Sequence, residues 1–352
     1  MTRAQPLLWT IALLATIAAL ALAKGAGFAI DYTSLLPFSC MTGLLAAVFA
    51  VYKWIRPVPL IASILGMQTA VLWALPMIGM AALAGLGLRA ALIDDLLIKA
   101  DASLGLDVRS TVEWIADWPV ALSVLSFVYQ ASVPLAVVSP IALCLSSRNE
   151  TAWKVSACLV GSGLVCSVIA AFLPAIGAFP ALNVPPETLA RLPAGAGTYH
   201  LTTFEALHGG KVRQIDISML NGVVTFPSFH AAMAMAIAHS GIYLKRLRSV
   251  AMILATLVMI STVPIGGHYY VDVLGGIAIY LAFAGLIGDG TEKRWQSPFG
   301  ETRLLVPAAE NVPGAPEDLV PSAARLASSD GSQTGRLQEL PQNGLLSFGR
   351  PG

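Results

Sequence analysis

The chain has 352 residues, 56% of them hydrophobic and only 12% charged, with a mean hydropathy of +0.73 and a formal net charge of +1. Soluble domains carry about 25% charged residues, so a chain this apolar cannot cover its surface in water and reads as a polytopic membrane protein. It has no basic patch with interleaved aromatics, which excludes nucleic acid as a partner.

Apolar runs approaching the ~20 residues that cross a bilayer lie at 6–23, 35–52, 58–88, 119–144, 153–172, 227–244, 250–265 and 270–287. The first has a basic start and Ala-Leu-Ala before Lys24, as a cleavable signal peptide does. Its apolar stretch is long for one, so an uncleaved span is expected. The third is overlong and holds Pro76. It is either one kinked helix or a span plus an interfacial piece, and charge decides for one span. Lys53 and Arg56 follow the second run, Arg148 and Lys154 sit between the fourth and fifth, and Lys245, Arg246 and Arg248 lie between the sixth and seventh. With Arg3 at the start and Lys293 and Arg294 after the last run, every second connection is basic. The positive-inside rule then places both termini and the Lys-Arg-Leu-Arg loop in the cytoplasm. About eight spans satisfy that pattern; splitting the third run would reverse every later connection.

Two segments are not spans. Residues 173–225 form a long outer connection rich in Pro, Gly and Thr, the kind of loop that carries function. Residues 289–352, poor in aromatics and rich in Pro, Gly and Ser, read as a disordered cytoplasmic tail. The expected fold is thus an all-α membrane helix bundle: N-terminal spans over 1–90, a catalytic membrane domain over 91–288, and the tail. Cys40, Cys144, Cys158 and Cys166 show no CxxC pairing and read as small hydrophobes rather than a disulfide or zinc framework.

Two helix mouths stand out. Thr225-Phe-Pro-Ser-Phe-His230 opens the sixth run, and Gly266-Gly-His-Tyr-Tyr-Val-Asp272 opens the eighth. The charge pattern puts both on the same, outer face. Pro227 suits a first helical turn. The exposed N–H groups and positive dipole end favour an anion there, with Ser228 adding a hydroxyl and His230 an acid near neutral pH. His268 and Asp272 are four apart, so on a helix they share a face. A carboxylate bonded to one ring nitrogen fixes the tautomer and makes the other nitrogen a better nucleophile. One HxxxD alone is a permissive pattern and a lone histidine at a helix mouth is usually interfacial; two such mouths on one face, joined by one hairpin, point to a site. His239, nine residues after His230, falls half a turn out of phase and faces a neighbouring span instead.

These residues resemble the phosphatidic acid phosphatase type 2 superfamily. Its signature is Lys…Arg-Pro, then Pro-Ser-Gly-His, then Ser-Arg, five residues, His, three residues, Asp. Ser261, His268 and Asp272 keep the spacing of the third motif. Phe229 replaces the glycine of the second, Thr262 stands where the arginine would be, and no clear first motif precedes them. Gly222-Val-Val-Thr-Phe-Pro-Ser-Phe-His and the segment Leu92-Ile-Asp-Asp-Leu-Leu-Ile-Lys-Ala-Asp are similar to the branch of inositol phosphorylceramide synthases, and the resemblance covers roughly residues 90–288.

The resemblance implies a phosphatase or head-group transferase acting on a lipid phosphate without a metal or other cofactor. His268 would be the nucleophile on phosphorus, Asp272 its orienting partner, His230 the acid for the leaving oxygen and Ser228 a phosphate ligand. The missing arginine needs a cationic substitute, and Lys211 and Arg213, with His208 beside them on the outer loop, are the nearest. Asp94, Asp95 and Asp101 read as solvated. The competing reading is an anion-binding transporter or an inactive member of the same fold.

Overall fold

The computed structural model describes residues 4–220 and 226–288. The predicted tail over 289–352, and with it Arg3, Lys293 and Arg294, lies outside the described residues.

Each apolar run folds into one helix. In chain order, the elements are α1 (Ala4–Ala26), α2 (Tyr32–Ala50), α3 (Pro59–Leu86), the short α4 (Asp94–Ser103) and α5 (Val108–Ile115), α6 (Pro119–Leu145), α7 (Asn149–Phe172), three short outer-connection helices α8 (Ala178–Ala181), α9 (Pro186–Leu189) and α10 (Leu201–His208), then α11 (Phe229–Tyr243), α12 (Arg248–Ser261) and α13 (Tyr270–Ile287). Six of these, α1, α2 with its π-helical extension to Ile55, α3, α6, α7 and α13, are long and apolar enough to cross a membrane. The sixth and seventh runs give shorter helices of 15 and 14 residues. The Ser228 cap begins α11, and turns over 262–266 follow α12.

The overlong third run is a single helix through Pro76. It and α7 form the centre of the bundle, each with 72% of its spanning window buried, against 6% for α2. Without a hydrophobic drive between helices in lipid, small residues and interhelical hydrogen bonds must hold the contact. Gly85 of α3 packs on Ala171 of α7, and Ser167 Oγ donates to the Ile78 carbonyl at 2.8 Å. Buried Trp153 donates to Ser63 Oγ at 2.9 Å, and Gln68 donates to the Val137 carbonyl at 3.0 Å.

The outer connection is anchored at two places. Its β2 (Gln214–Ile215) pairs in parallel with β1 (Ala29–Ile30), tying it to the α1–α2 junction. Farther back, Ala178 N–H donates to the Gly267 carbonyl (2.9 Å) and Gly197 N–H to the Ile265 carbonyl (2.7 Å). These bonds press the connection onto the turn that carries His268. Gly267 sits at φ 73°, and a side chain there would run into the Gly197 backbone, so both its conformation and its neighbour require glycine.

The helices that start at the two polar mouths end beside basic residues. Lys154 Nζ, at the start of α7, donates to the Gly288 carbonyl just past α13, at 2.9 Å. The Arg148 guanidinium lies 5.5 Å from the ring centre of Tyr243, the last residue of α11.

Candidate active site

The chemistry-bearing residues come from two helix ends, those of α11 and α13. Ser228 caps α11, and its buried Oγ lies 3.3 Å from Nε2 of His268. His268 stands just ahead of α13; its Nδ1 is 3.1 Å from Asp272 Oδ2. Asp272, in the first turn of α13, also accepts the Tyr269 N–H at 3.0 Å. The Ser228 N–H donates to the Asp272 carbonyl at 2.9 Å, so the two helix mouths are stitched to each other directly. Ser228, His268 and Asp272 are all buried. The carboxylate holds one imidazole nitrogen and leaves the other facing the serine.

His230 enters from the first turn of α11. Its ring is edge-on to His268, with centroids 6.1 Å apart. It stacks on Tyr129 of α6 at 4.1 Å and 17°, and Nδ1 lies 3.3 Å from the Tyr129 hydroxyl. Tyr129 in turn shares a 2.7 Å hydrogen bond with Tyr199 of the outer connection. A side chain at Gly266 would collide with both the His268 ring and the Tyr129 hydroxyl, which explains the glycine there.

The two departures from the family pattern have separate structural explanations. Phe229 points away from the cluster and packs against Gly163 of α7 and Ile78 of α3; a Cβ at Gly163 would stand 2.9 Å from its ring. Thr262 is buried, and its hydroxyl donates to the Met259 carbonyl at 2.6 Å. Ser261 donates likewise to the Val258 carbonyl at 2.7 Å. Both hydroxyls serve the end of α12.

Lys211 and Arg213 are exposed, and no hydrogen bond or ion pair joins either to the histidine cluster among the described residues. The Arg213 carbonyl accepts the Ala29 N–H beside β1, which holds this stretch at the α1–α2 junction. His208 is committed elsewhere: Nε2 bonds the Ala90 carbonyl at 3.0 Å and the ring stacks on Phe204. His239 reaches Tyr280 of α13 at 3.0 Å, on the side of α11 expected from its phase.

The reading of Asp94 and Asp101 as solvated is wrong. Both are buried. Asp101 accepts the N–H groups of Tyr270 and Val271 at 2.9 Å each, satisfying donors that the first turn of α13 leaves open. Burial pushes its carboxyl up despite those two donors. Asp94 accepts the Tyr269 hydroxyl at 2.9 Å and the N–H groups of Ile176 (2.9 Å) and Gly177 (3.1 Å). It thereby links α4, the outer connection and the His268 turn. Asp95 alone of the three stays exposed.

Sequence reasoning also missed His200, Tyr129 and Tyr199. His200 is buried, and its Nε2 bonds the Ile176 carbonyl at 2.8 Å. Burial holds its imidazole below the ordinary 6.5, and the charge of His268 adds to that. The tyrosines carried no spacing signal, because Tyr129 lies in an apolar run and Tyr199 in a long connection.

A helical membrane bundle with a buried serine–histidine–aspartate cluster at apposed helix mouths is the class that fold and site define. The chain belongs to the PAP2 superfamily, whose model matches residues 95–286. Comparison with curated proteins and with solved structures finds no match. Membership supports a phosphatase-like activity on a lipid phosphate in the membrane.

Proposed function

We propose that the protein cleaves or transfers the phosphate head group of a membrane lipid through a phosphohistidine on His268. The observation that carries this reading is the bracketing of His268, with Nδ1 on Asp272 and Nε2 facing Ser228. A carboxylate in that position fixes the Nδ1–H tautomer and directs the Nε2 lone pair outward. In the first step Nε2 attacks phosphorus, the bond to the leaving oxygen breaks, and His230 gives that oxygen its proton. In the second, water or an alcohol attacks the phosphohistidine, the P–N bond breaks, and the acceptor's proton goes to His230. Water makes the protein a phosphatase. A lipid or inositol hydroxyl makes it a transferase, the outcome favoured by its likeness to the inositol phosphorylceramide synthase branch.

The transition state spreads negative charge over the phosphoryl oxygens and needs preorganised donors. Ser228 Oγ is one. The open end of α11 is another: the N–H groups of Phe229 and His230 have no acceptor among the described residues, whereas the first N–H groups of α13 are taken by Asp101. Lys211 and Arg213 then act from the outer loop by raising the local concentration of an anionic head group. In this reading the site faces the non-cytoplasmic side: α11 and α13 run from it toward Arg148 and Lys154, and the positive-inside rule favours the cytoplasm for such a basic connection.

The test is phosphate release from a panel of lipid phosphates by purified protein, combined with a denaturing quench that traps the phosphoenzyme. An acid-labile, base-stable phosphoenzyme that disappears in His268→Ala supports the mechanism. Full turnover in His268→Ala rules it out. Failure to release phosphate or transfer a head group from any lipid, with the fold intact, favours the binding or transport alternative.

A further inference from the structure

The two site histidines are oriented by different chemistry. His268 has a carboxylate on Nδ1, whereas His230 has a phenol, and behind that phenol a second one. We propose that Tyr129, backed by Tyr199, is the positioning residue that makes His230 the acid, and that it does so through a neutral hydroxyl pair. The proposal rests on the assignment of His230 given above.

The geometry supports it at three points. The Tyr129 ring stacks flat on the imidazole at 4.1 Å, which fixes the plane of His230. Its hydroxyl lies 3.3 Å from Nδ1, over the face of the ring, which favours one turn of the imidazole and leaves Nε2 for the substrate. The 2.7 Å bond to Tyr199 then fixes the direction of the Tyr129 hydroxyl. Tyr129 is 7% exposed and Tyr199 is 37% exposed, so the pair runs from the half-buried His230 to the outer connection.

The chemical reason for a phenol lies in the two roles. A carboxylate beside an imidazole stabilises its cation and so weakens it as an acid. That suits a nucleophile, which develops positive charge as it bonds phosphorus. An acid must release its proton as the P–O bond breaks. A neutral ring and hydroxyl orient the imidazole without holding the charge. In the imidazolium, the Tyr129 oxygen lies over the ring beside Nδ1, and Tyr129 O–H donates to the Tyr199 oxygen. The Nε2 proton goes to the leaving oxygen, and Nδ1–H stays in place. In the second step Nε2 takes the acceptor's proton, so the cycle closes with no net change in either tyrosine.

The arrangement predicts a leaving-group signature. An alkyl oxide needs a proton to leave; p-nitrophenolate does not. The measurement is kcat/KM, which reports the first irreversible step, for an alkyl lipid phosphate and for p-nitrophenyl phosphate, with full-length protein in detergent. Tyr129→Phe, which keeps the stacked ring, should lower the alkyl value at least about tenfold and leave the aryl value within about twofold, a fraction of the roughly 10²–10⁴-fold that acid–base catalysis supplies. Tyr199→Phe should move the aryl-to-alkyl ratio the same way by less. His230→Ala should move it most. Equal loss on both substrates in Tyr129→Phe, or no change, overturns the proposal, since a packing defect cannot distinguish leaving groups. If His230→Ala leaves the ratio unchanged, the acid assignment itself fails and the proposal falls with it.

Discussion

His268 Nε2 and Ser228 Oγ are 40 residues apart in the chain and 3.3 Å apart in space. Their contact joins the mouths of α11 and α13, and the Ser228 N–H to Asp272 carbonyl bond holds them there. Under the proposed mechanism, a phosphoryl group drawn into this gap would meet the nucleophilic nitrogen and a hydroxyl at once. We expect Asp272→Asn to keep the fold and lower kcat by about 10²–10⁴-fold, because the amide no longer enforces the productive tautomer. Ser228→Ala should cost about 10-fold to 10³-fold, as loss of one oxyanion donor does. Steady-state kinetics on a lipid phosphate check both.

Asp101 is the second residue on which α13 depends. Removing its carboxylate leaves the Tyr270 and Val271 N–H groups without acceptors, each at about 1–3 kcal/mol. Asp101→Ala should lower Tm in detergent and loosen the His268 turn, so activity falls with stability. Asp101→Asn retains an acceptor oxygen and should recover part of both. An unchanged Tm in Asp101→Ala would show that α13 does not rely on this cap.

Phe229 and Gly163 should couple. Phe229→Ala opens a cavity beside α7 and should cost about 2–4 kcal/mol. Gly163→Ala pushes a methyl group against the Phe229 ring and should cost about 1–3 kcal/mol in the natural background. In the Phe229→Ala background the same methyl should cost at least about 1 kcal/mol less, which a double-mutant cycle on unfolding measures. Simple additivity would place the ring elsewhere.

His200 makes stability depend on pH. Burial holds its folded value below the ordinary 6.5, so the unfolded chain binds the extra proton first. Stability is therefore full above about pH 6.5 and declines as the pH falls below it. His200→Gln should flatten Tm between about pH 5 and 6.5. A wild-type curve with no slope in that window would mean the imidazole is already charged in the fold.

Lys211→Met and Arg213→Met should raise KM at low salt and leave kcat nearly unchanged, an effect that fades as ionic strength rises. Thr262→Val removes a hydroxyl committed to its own helix and should change kcat by less than about threefold, a reading from its internal hydrogen bond. A large kcat loss in either lysine or arginine variant would return those cations to the phosphate itself.

Hydropathy was enough to place each apolar helix, because a run of side chains that cannot face water has few options in a bilayer. Charge alternation resolved the overlong third run, which is one helix through Pro76. Spacing also paired His268 with Asp272, although His268 stands just ahead of α13 and reaches the carboxylate across the mouth of that helix rather than along a helix face. The same local logic sent His239 away from the site and toward Tyr280.

Nothing local could reveal the rest. Asp94 and Asp101 look solvated in an acidic segment, yet about 170 residues later Asp101 finds the open backbone donors of the α13 mouth and Asp94 the Tyr269 hydroxyl. Tyr129 and Tyr199 have no periodicity to mark them, and only the packing of α6 under the outer connection brings the Tyr129 hydroxyl to His230 and the Tyr199 hydroxyl to Tyr129. Lys211 and Arg213 looked near because they share a loop with the site, but β2 pairing holds that stretch at the α1–α2 junction. Short-range chemistry along the chain determined which residues are candidates to react. The tertiary structure decided which groups orient them, because hydrogen-bond partners over such separations are set by how helices pack.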